Sequence, residues 1–246
     1  MITVIAEAGI NWNGDMRTMR ELILAAKDCG CSIFKTQVHD ISKNFPDHKI
    51  MVGGKNWYEE CLRSNLTKEQ VLQTAEWCKE AEIEFMASSA DVMRAGWLEE
   101  AGVKRHKVAY MMRHNKELID FMLSTGKLVL LSTGNLWRDY YRPDETKMAP
   151  YELLYCVPKY PTQYYDLHLG DVNFTPGMGL FYNGFSDHTI GPSAAIVALS
   201  RGARIIEKHF TLDRSDNRGP DHQISADAAV MKTIVHFAKE VEEILG

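Results

Sequence analysis

Two histidines, His188 and His209, each end a short apolar run with an acid one or two positions before them, in the stretches GFSDHT (184–189) and ARIIEKHF (203–210). Residues 191–202 between them (GPSAAIVALSRG) pattern as a short helix closed by glycine, which makes a strand–helix–strand unit. Parallel neighbours lie about 4.8 Å apart, so the two strand tips can bring both imidazoles to one ion. Side-chain alternation places Ser186 with His188 on one face, and Glu207 with His209 on one face. Two imidazoles suit a borderline divalent ion such as Mn²⁺, Co²⁺ or Zn²⁺, with water or a substrate oxygen completing the shell.

Other polar residues recur where apolar runs end. They are Glu7, Lys35 with Gln37, Ser88 with Ser89, Lys107, Ser132 with Thr133, and Tyr160; Asp213 and Asp221 follow His209. Such residues are poor choices for strand interiors on packing grounds. Hydroxyls together with two lysines can hold an oxyanion or a phosphate, which needs both donors and positive charge. Each also has a plain structural reading: the lysines can snorkel, and Ser88 and Ser132 can cap helices. No stretch resembles a Ser-His-Asp triad or a phosphate-binding Walker loop. Cys156 also falls at a strand end, without local support for a nucleophilic role.

The elements that must position these groups read as eight strands at 2–8, 31–38, 84–88, 104–109, 127–132, 152–157, 181–185 and 203–208. Between them Asp15 caps a helix to Asp28, with Met19, Leu22, Ile23 and Ala26 on one face. Thr67 and Gln70 form a capping box for a helix to Ala81. Further helices are expected over 91–101 and 115–124, and a weak one over 166–174. Ser225 is expected to cap a last helix over 226–245, with Ala229, Ile234, Phe237 and Val241 buried. Residues 39–66 read as a long loop, and 134–150 as irregular. Eight βα repeats in one chain of 246 residues predict a single (β/α)₈ barrel over 1–246, a TIM barrel. A doubly wound sheet is the alternative, weakened by the lack of GxGxxG in the first loop.

Composition narrows the partners. Lys+Arg 28 against Asp+Glu 33 leaves a net charge of −5, so no global field would recruit nucleic acid or an anionic membrane. Five cysteines, odd in number and without CxxC spacing, read as reduced thiols. The N-terminus MITVIAEAG is no signal peptide, and no apolar run approaches a membrane span. A cytoplasmic location follows by default, and a homo-oligomer is left open.

EAGINWNGD, FKTQ, LSTG, YPT, GFSDHT and EKHFTLDR…GPDH together resemble, in order and spacing, the sialic acid synthase (N-acetylneuraminate synthase) family. The match runs from Glu7 to Asp221, and its last two motifs are the most specific. The resemblance implies a (β/α)₈ barrel that condenses phosphoenolpyruvate with an N-acetylated amino sugar, giving a nonulosonic acid and phosphate. It implies His188 and His209 as ligands of a divalent ion, Mn²⁺ first and Mg²⁺ or Co²⁺ as alternatives. It implies Glu7 and Asp221 as catalytic carboxylates, Asp221 lying on the sugar side with Gln37 and Tyr160. Lys35, Ser88, Lys107, Ser132 and Ser186 are implied as phosphoenolpyruvate binders.

The chain also departs from the family's pattern. Where the family has lysine, aliphatic, small, serine, glycine, glutamate, this chain has Lys107-Val108-Ala109-Tyr110-Met111-Met112. Pro158, followed by Lys159, replaces an asparagine before Tyr160. The chain is expected to lack the antifreeze-like domain common after the barrel, and with it the arginine that domain lends to a partner. Two other readings stay open: a Schiff-base aldolase using Lys35, Lys107 or Lys208, and an inactive barrel that serves as a binding protein.

Overall fold

Six of the eight barrel strands carry an apolar residue that points inward and, two positions later, a polar or reactive one. In a computed structural model, which describes residues 1–134, 140–141, 150–177 and 181–245, the elements begin with β1 (Thr3–Gly9), α1 (Met16–Asp28) and β2 (Ile33–Val38). Then come α2 (Ile41–Asn44), the short hairpin β3 (Met51–Val52) and β4 (Lys55–Asn56), α3 (Tyr58–Arg63) and α4 (Lys68–Glu80). The middle of the chain forms β5 (Glu84–Ser89), α5 (Val92–Glu100), β6 (Arg105–Val108), α6 (Lys116–Ser124) and β7 (Leu128–Thr133). β8 (Tyr151–Cys156), β9 (Gly184–Asp187), α7 (Ser193–Ser200), β10 (Ile205–His209) and α8 (Ala228–Leu245) complete it. Eight parallel strands close in the order β1-β10-β9-β8-β7-β6-β5-β2. This is the (β/α)₈ barrel that the repeats predict.

Inside the barrel Ile5, Ile33, Met86, Leu130, Leu154 and Ile205 form one buried apolar plug. Two residues further along the same strands stand Glu7, Lys35, Ser88, Ser132, Cys156 and Glu207. A period of two therefore puts a polar layer directly above the plug, at the C-terminal ends of the strands. The intervening residues, such as Ala6, Phe34, Ala87, Leu131, Tyr155 and Ile206, face outward into the cluster packed under the helices. Strands apolar on both faces, as here, are what a sheet covered by helices requires.

Several local expectations hold. Asp15 accepts from the Arg17 amide at the start of α1, whose buried residues are Met19, Leu22, Ile23 and Ala26. Both bonds of the Thr67–Gln70 capping box form. Asp91 and Asn115 cap α5 and α6.

Others are corrected. Residues 39–66 are not a plain loop: they hold α2, the β3–β4 hairpin and α3, packed through Ile10, Ile41, Tyr58 and Cys61. The weak helix expected over 166–174 is two 3₁₀ turns, Tyr164–Asp166 and Leu169–Asp171. Asp227, not Ser225, caps the last helix, accepting from the Val230 amide at 2.9 Å. α8 consequently buries Met231, Ile234, Val235 and Ala238, while Ala229 and Phe237 face solvent. Most of the irregular stretch expected over 134–150 lies outside the described residues.

Two glycines shape the strand ends. A Cβ on Gly184 would lie 2.4 Å from the Ile205 carbonyl oxygen, so glycine permits the close approach of β9 to β10. Gly9 has φ +52° at a register shift in β1, and a Cβ there would lie 3.3 Å from the His209 ring.

Candidate active site

The polar layer above the plug is a dense ion network. Lys35 Nζ donates to Glu7 Oε2 at 2.7 Å and lies 3.5 Å from Glu207 Oε2. Gln37 Nε2 donates to Glu7 Oε1 at 3.2 Å. Lys107 Nζ donates to Ser132 Oγ at 2.7 Å and to the Val108 carbonyl at 2.9 Å, with Glu207 Oε1 4.0 Å away. Ser186 Oγ donates to Glu207 Oε1 at 2.9 Å. All of these except Gln37, which is half-buried, are buried. Charges of both signs are needed because an unpaired ion at this depth costs several kcal/mol.

Burial pushes the Glu7 carboxyl up, and Lys35 offsets that only in part. Burial acts on Glu207 in the same direction, but the ammonium groups of Lys107 and Lys35 outweigh it and hold Glu207 at about 2. For Lys35 the order is reversed: burial disfavours the cation, yet Glu207 and Glu7 carry it above its ordinary value. Lys107 stays below its ordinary value through burial. Burial thus disfavours the charged forms of Glu7 and Lys107, while Lys35 and Glu207 hold each other charged.

The histidines stand at the rim. Their ring centroids are 5.8 Å apart. His188 Nδ1 is 2.8 Å from the Val157 carbonyl oxygen, which can only accept, so Nδ1 carries the proton and Nε2 a lone pair. That lone pair faces the Tyr160 hydroxyl at 3.2 Å, with the Tyr160 ring stacked on His188 at 4.3 Å. His209 Nδ1 is buried and, among the described residues, has no hydrogen-bond partner; Asp221 Oδ2 is 3.9 Å away. Burial lowers both imidazoles, His209 to about 4, so both are neutral near pH 7. A neutral pair with one directed lone pair and one orphaned nitrogen fits a divalent ion. Among the described residues no group of three or more His, Cys, Asp or Glu could hold one alone, so further ligands must come from water or substrate.

Between these groups lies a cavity of about 50 Å³, lined by Glu7, Lys35, Gln37, Ser88, Lys107, Ser132, Tyr160, Ser186, His188 and His209, and also by Ala109, Tyr110, Cys156 and Glu207. The NeuB family model matches residues 22–246. The chain belongs to the NeuB family. It is 32% identical over 99% of its length to an uncharacterised protein of Methanocaldococcus jannaschii, covering 72% of that protein. It is also 32% identical to the N,N'-diacetyllegionaminic acid synthase of Legionella pneumophila, covering 99% of this chain and 73% of that one. Among solved structures, the N-acetylneuraminic acid synthetase of Leptospira borgpetersenii in complex with citrate superposes with a TM-score of 0.86 at 28% identity, over 100% of this chain and 85% of that one.

Of the site residues singled out in this NeuB-family sequence, ten line the cavity together. Asp221 does not; it stands behind His209 and burial raises its carboxyl. Three other strand-end candidates, and Lys159 beside Tyr160, also lie elsewhere. Ser89 and Thr133 follow cavity residues by one position and so point outward. Asp213 accepts from Ser215 in its own loop, and Lys159 pairs with Asp166 at 2.6 Å. Lys208 is bound to Asp187 on the outer face, which removes it as a Schiff-base candidate. The cavity residues without an expected role are Glu207, Cys156, Ala109 and Tyr110. Alternation already put Glu207 on the face of His209, and that signal suffices to find it. Tyr110 opens a 3₁₀ turn after β6, with the Arg113 guanidinium 4.0 Å from its ring centre. No helix among the described residues is long and apolar enough to cross a membrane.

Proposed function

We propose that this NeuB-family chain condenses phosphoenolpyruvate with the open-chain aldehyde of an N-acetylated amino sugar, giving a nonulosonic acid and inorganic phosphate. The observation that carries the reading is the Lys107–Ser132 donor pair facing two neutral imidazoles across one cavity. Carbon 3 of the enol forms the new C–C bond to the aldehyde carbon, whose oxygen takes a proton. Water adds at carbon 2, and the C2–O bond to phosphate then breaks, leaving the 2-keto acid.

Lys107, Ser132, Ser186 and Ser88 supply charge and donors to the phosphate and carboxylate of phosphoenolpyruvate. Lys35 is the counter-ion that keeps Glu207 ionised and orients Glu7. Glu7 moves protons at its carboxyl oxygens: its raised affinity suits giving one to the forming alkoxide and taking one from the attacking water. Gln37 and Tyr160 face the sugar side, while Asp221 lies outside the cavity, 3.9 Å from His209 Nδ1. His188 and His209 would hold a divalent ion, Mn²⁺ first and Mg²⁺ or Co²⁺ as alternatives. Such an ion supplies Lewis-acid polarisation of the aldehyde oxygen.

The test is phosphate release from phosphoenolpyruvate with Mn²⁺ and a panel of N-acetylated amino sugars, before and after EDTA. Sugar-dependent phosphate and a keto acid of the summed carbon count are expected, with loss on chelation and recovery with Mn²⁺. No phosphate with any sugar overturns the reading, and Mn²⁺ binding without turnover returns the barrel to a binding role.

One observation favours a second reading. Lys107 is a buried amine held below its ordinary value, as a Schiff-base lysine requires. Borohydride with pyruvate or an aldehyde separates the two: a covalent adduct on Lys107 supports the aldolase, and none is expected here.

A further inference from the structure

Asp187 and Lys208 form an ion pair at 2.9 Å with both side chains fully buried. They are register partners on β9 and β10. Lys208 Nζ also donates to the Thr189 carbonyl at 2.7 Å, and the Thr189 amide donates to Asp187 Oδ1 at 2.8 Å. Neither side chain lines the cavity, since alternation turns both away from Ser186, His188, Glu207 and His209. Each is nevertheless the residue immediately before one of the two histidines.

A buried ion pair is a weak source of stability, because desolvation cancels most of the attraction and an apolar pair of equal volume does as well or better. Its geometry here does something an apolar pair would not. Asp187 Oδ1, the Thr189 amide and the Thr189 carbonyl enclose the backbone of His188 in a ring of bonds. Lys208 fastens that ring to the strand from which His209 emerges. The His188 carbonyl accepts in addition from the Thr162 amide at 3.0 Å, so its backbone is held on two sides.

We propose that Asp187 and Lys208 are positioning residues that set the separation and orientation of the His188 and His209 rings. This rests on reading those histidines as ligands of a divalent ion. Losing a group hydrogen-bonded directly to a ligand ring costs about 10–100-fold in metal affinity; Asp187 and Lys208 act one step further out, through the backbone that carries the rings.

The test compares the full chain with the apolar replacement Asp187→Leu/Lys208→Met, with Asp187→Asn, and with Glu99→Gln. Glu99, on α5, pairs with Lys127 at 2.8 Å and with His106 Nε2 at 2.8 Å, and touches neither Asp187 on β9 nor Lys208 on β10. Two signals are read: the His188 tautomer in the metal-free protein by long-range ¹H–¹⁵N NMR, and Mn²⁺ affinity by EPR titration. The double variant is expected to stay folded, lose the single Nδ1–H tautomer and bind Mn²⁺ at least about tenfold more weakly. Glu99→Gln is expected to change neither signal. Should the double variant fail to fold, Asp187→Asn gives the same two readouts. Retention of both the tautomer and the affinity overturns the proposal. If the parent protein binds no Mn²⁺, the metal reading falls and the tautomer alone decides the role of the pair.

Discussion

Lys35 stands between two carboxylates, 2.7 Å from Glu7 and 3.5 Å from Glu207, with all three side chains buried. Each carboxylate comes from a different strand, so one ammonium ties β1, β2 and β10 together above the plug. Replacing it by methionine keeps the volume but leaves two buried acids facing each other. Breaking a buried pair in this way costs about 3–5 kcal/mol. Lys35→Met is therefore expected to lower the urea midpoint by that equivalent. The additional change Glu207→Gln should restore part of it, because Glu7 then no longer faces a second buried carboxylate.

Glu7 has a different expected signature. Its substitution by glutamine preserves shape and the contact with Gln37 but removes the transferable proton. Phosphate release by Glu7→Gln should fall by about 10²–10⁴-fold. The loss should appear in kcat more than in KM. A loss confined to KM would place Glu7 in substrate binding alone.

Stability should depend on pH through buried histidines, including one that feels the Lys35 ammonium of the ion network. Burial pulls His39 down to about 4 from 6.5. Its folded value lies below its unfolded one, so its neutral form contributes stability that is complete above pH 6.5. That contribution is lost as pH falls through about 4. Each such histidine adds at most about 1.4 kcal/mol per pH unit in that window. Urea unfolding between pH 7 and 4 should show the decline, and His39→Gln should flatten it. An unchanged slope in the variant would mean His39 is accessible to protons in the folded chain.

Gly184 sets how near β9 can come to β10. The methyl of alanine would lie 2.4 Å from the Ile205 carbonyl oxygen and 2.6 Å from its Cβ, and both are fixed parts of the barrel. Gly184→Ala should cost at least about 1–3 kcal/mol through overpacking. Because the strands must part just below His188 and His209, it should also weaken Mn²⁺ binding in the fraction that folds. Circular dichroism and an EPR titration read the two effects separately.

Barrel and site differ in how openly they stand in the sequence. Apolar runs, the caps at Asp15 and Thr67, and polar residues at strand ends specify the eightfold repeat without reference to long-range contacts. The inward face follows from period two, which places Ile5 under Glu7 and Ile205 under Glu207. What resisted reading depends on tertiary packing. Residues 39–66 fold against Ile10 from the first loop, a contact no local pattern encodes. Ser225 and Asp227 are both good caps, and Ser225 is instead spent on Asn11, whose Nδ2 donates to its hydroxyl at 2.9 Å. That shifts α8 by two residues and rotates its buried stripe. Asp221 is near His209 but outside the cavity, a distinction of a few ångströms that spacing cannot resolve.

Tyr160 holds a consequence for how the barrel is loaded. Its hydroxyl sits on the one lone pair of His188 that points into the cavity, and the remaining space, about 50 Å³, admits only a few waters. Any ligand for that nitrogen must first evict a phenol. Loading is therefore a contest for a single electron pair. Its observed rate should level off with ligand concentration, at the rate at which Tyr160 swings away.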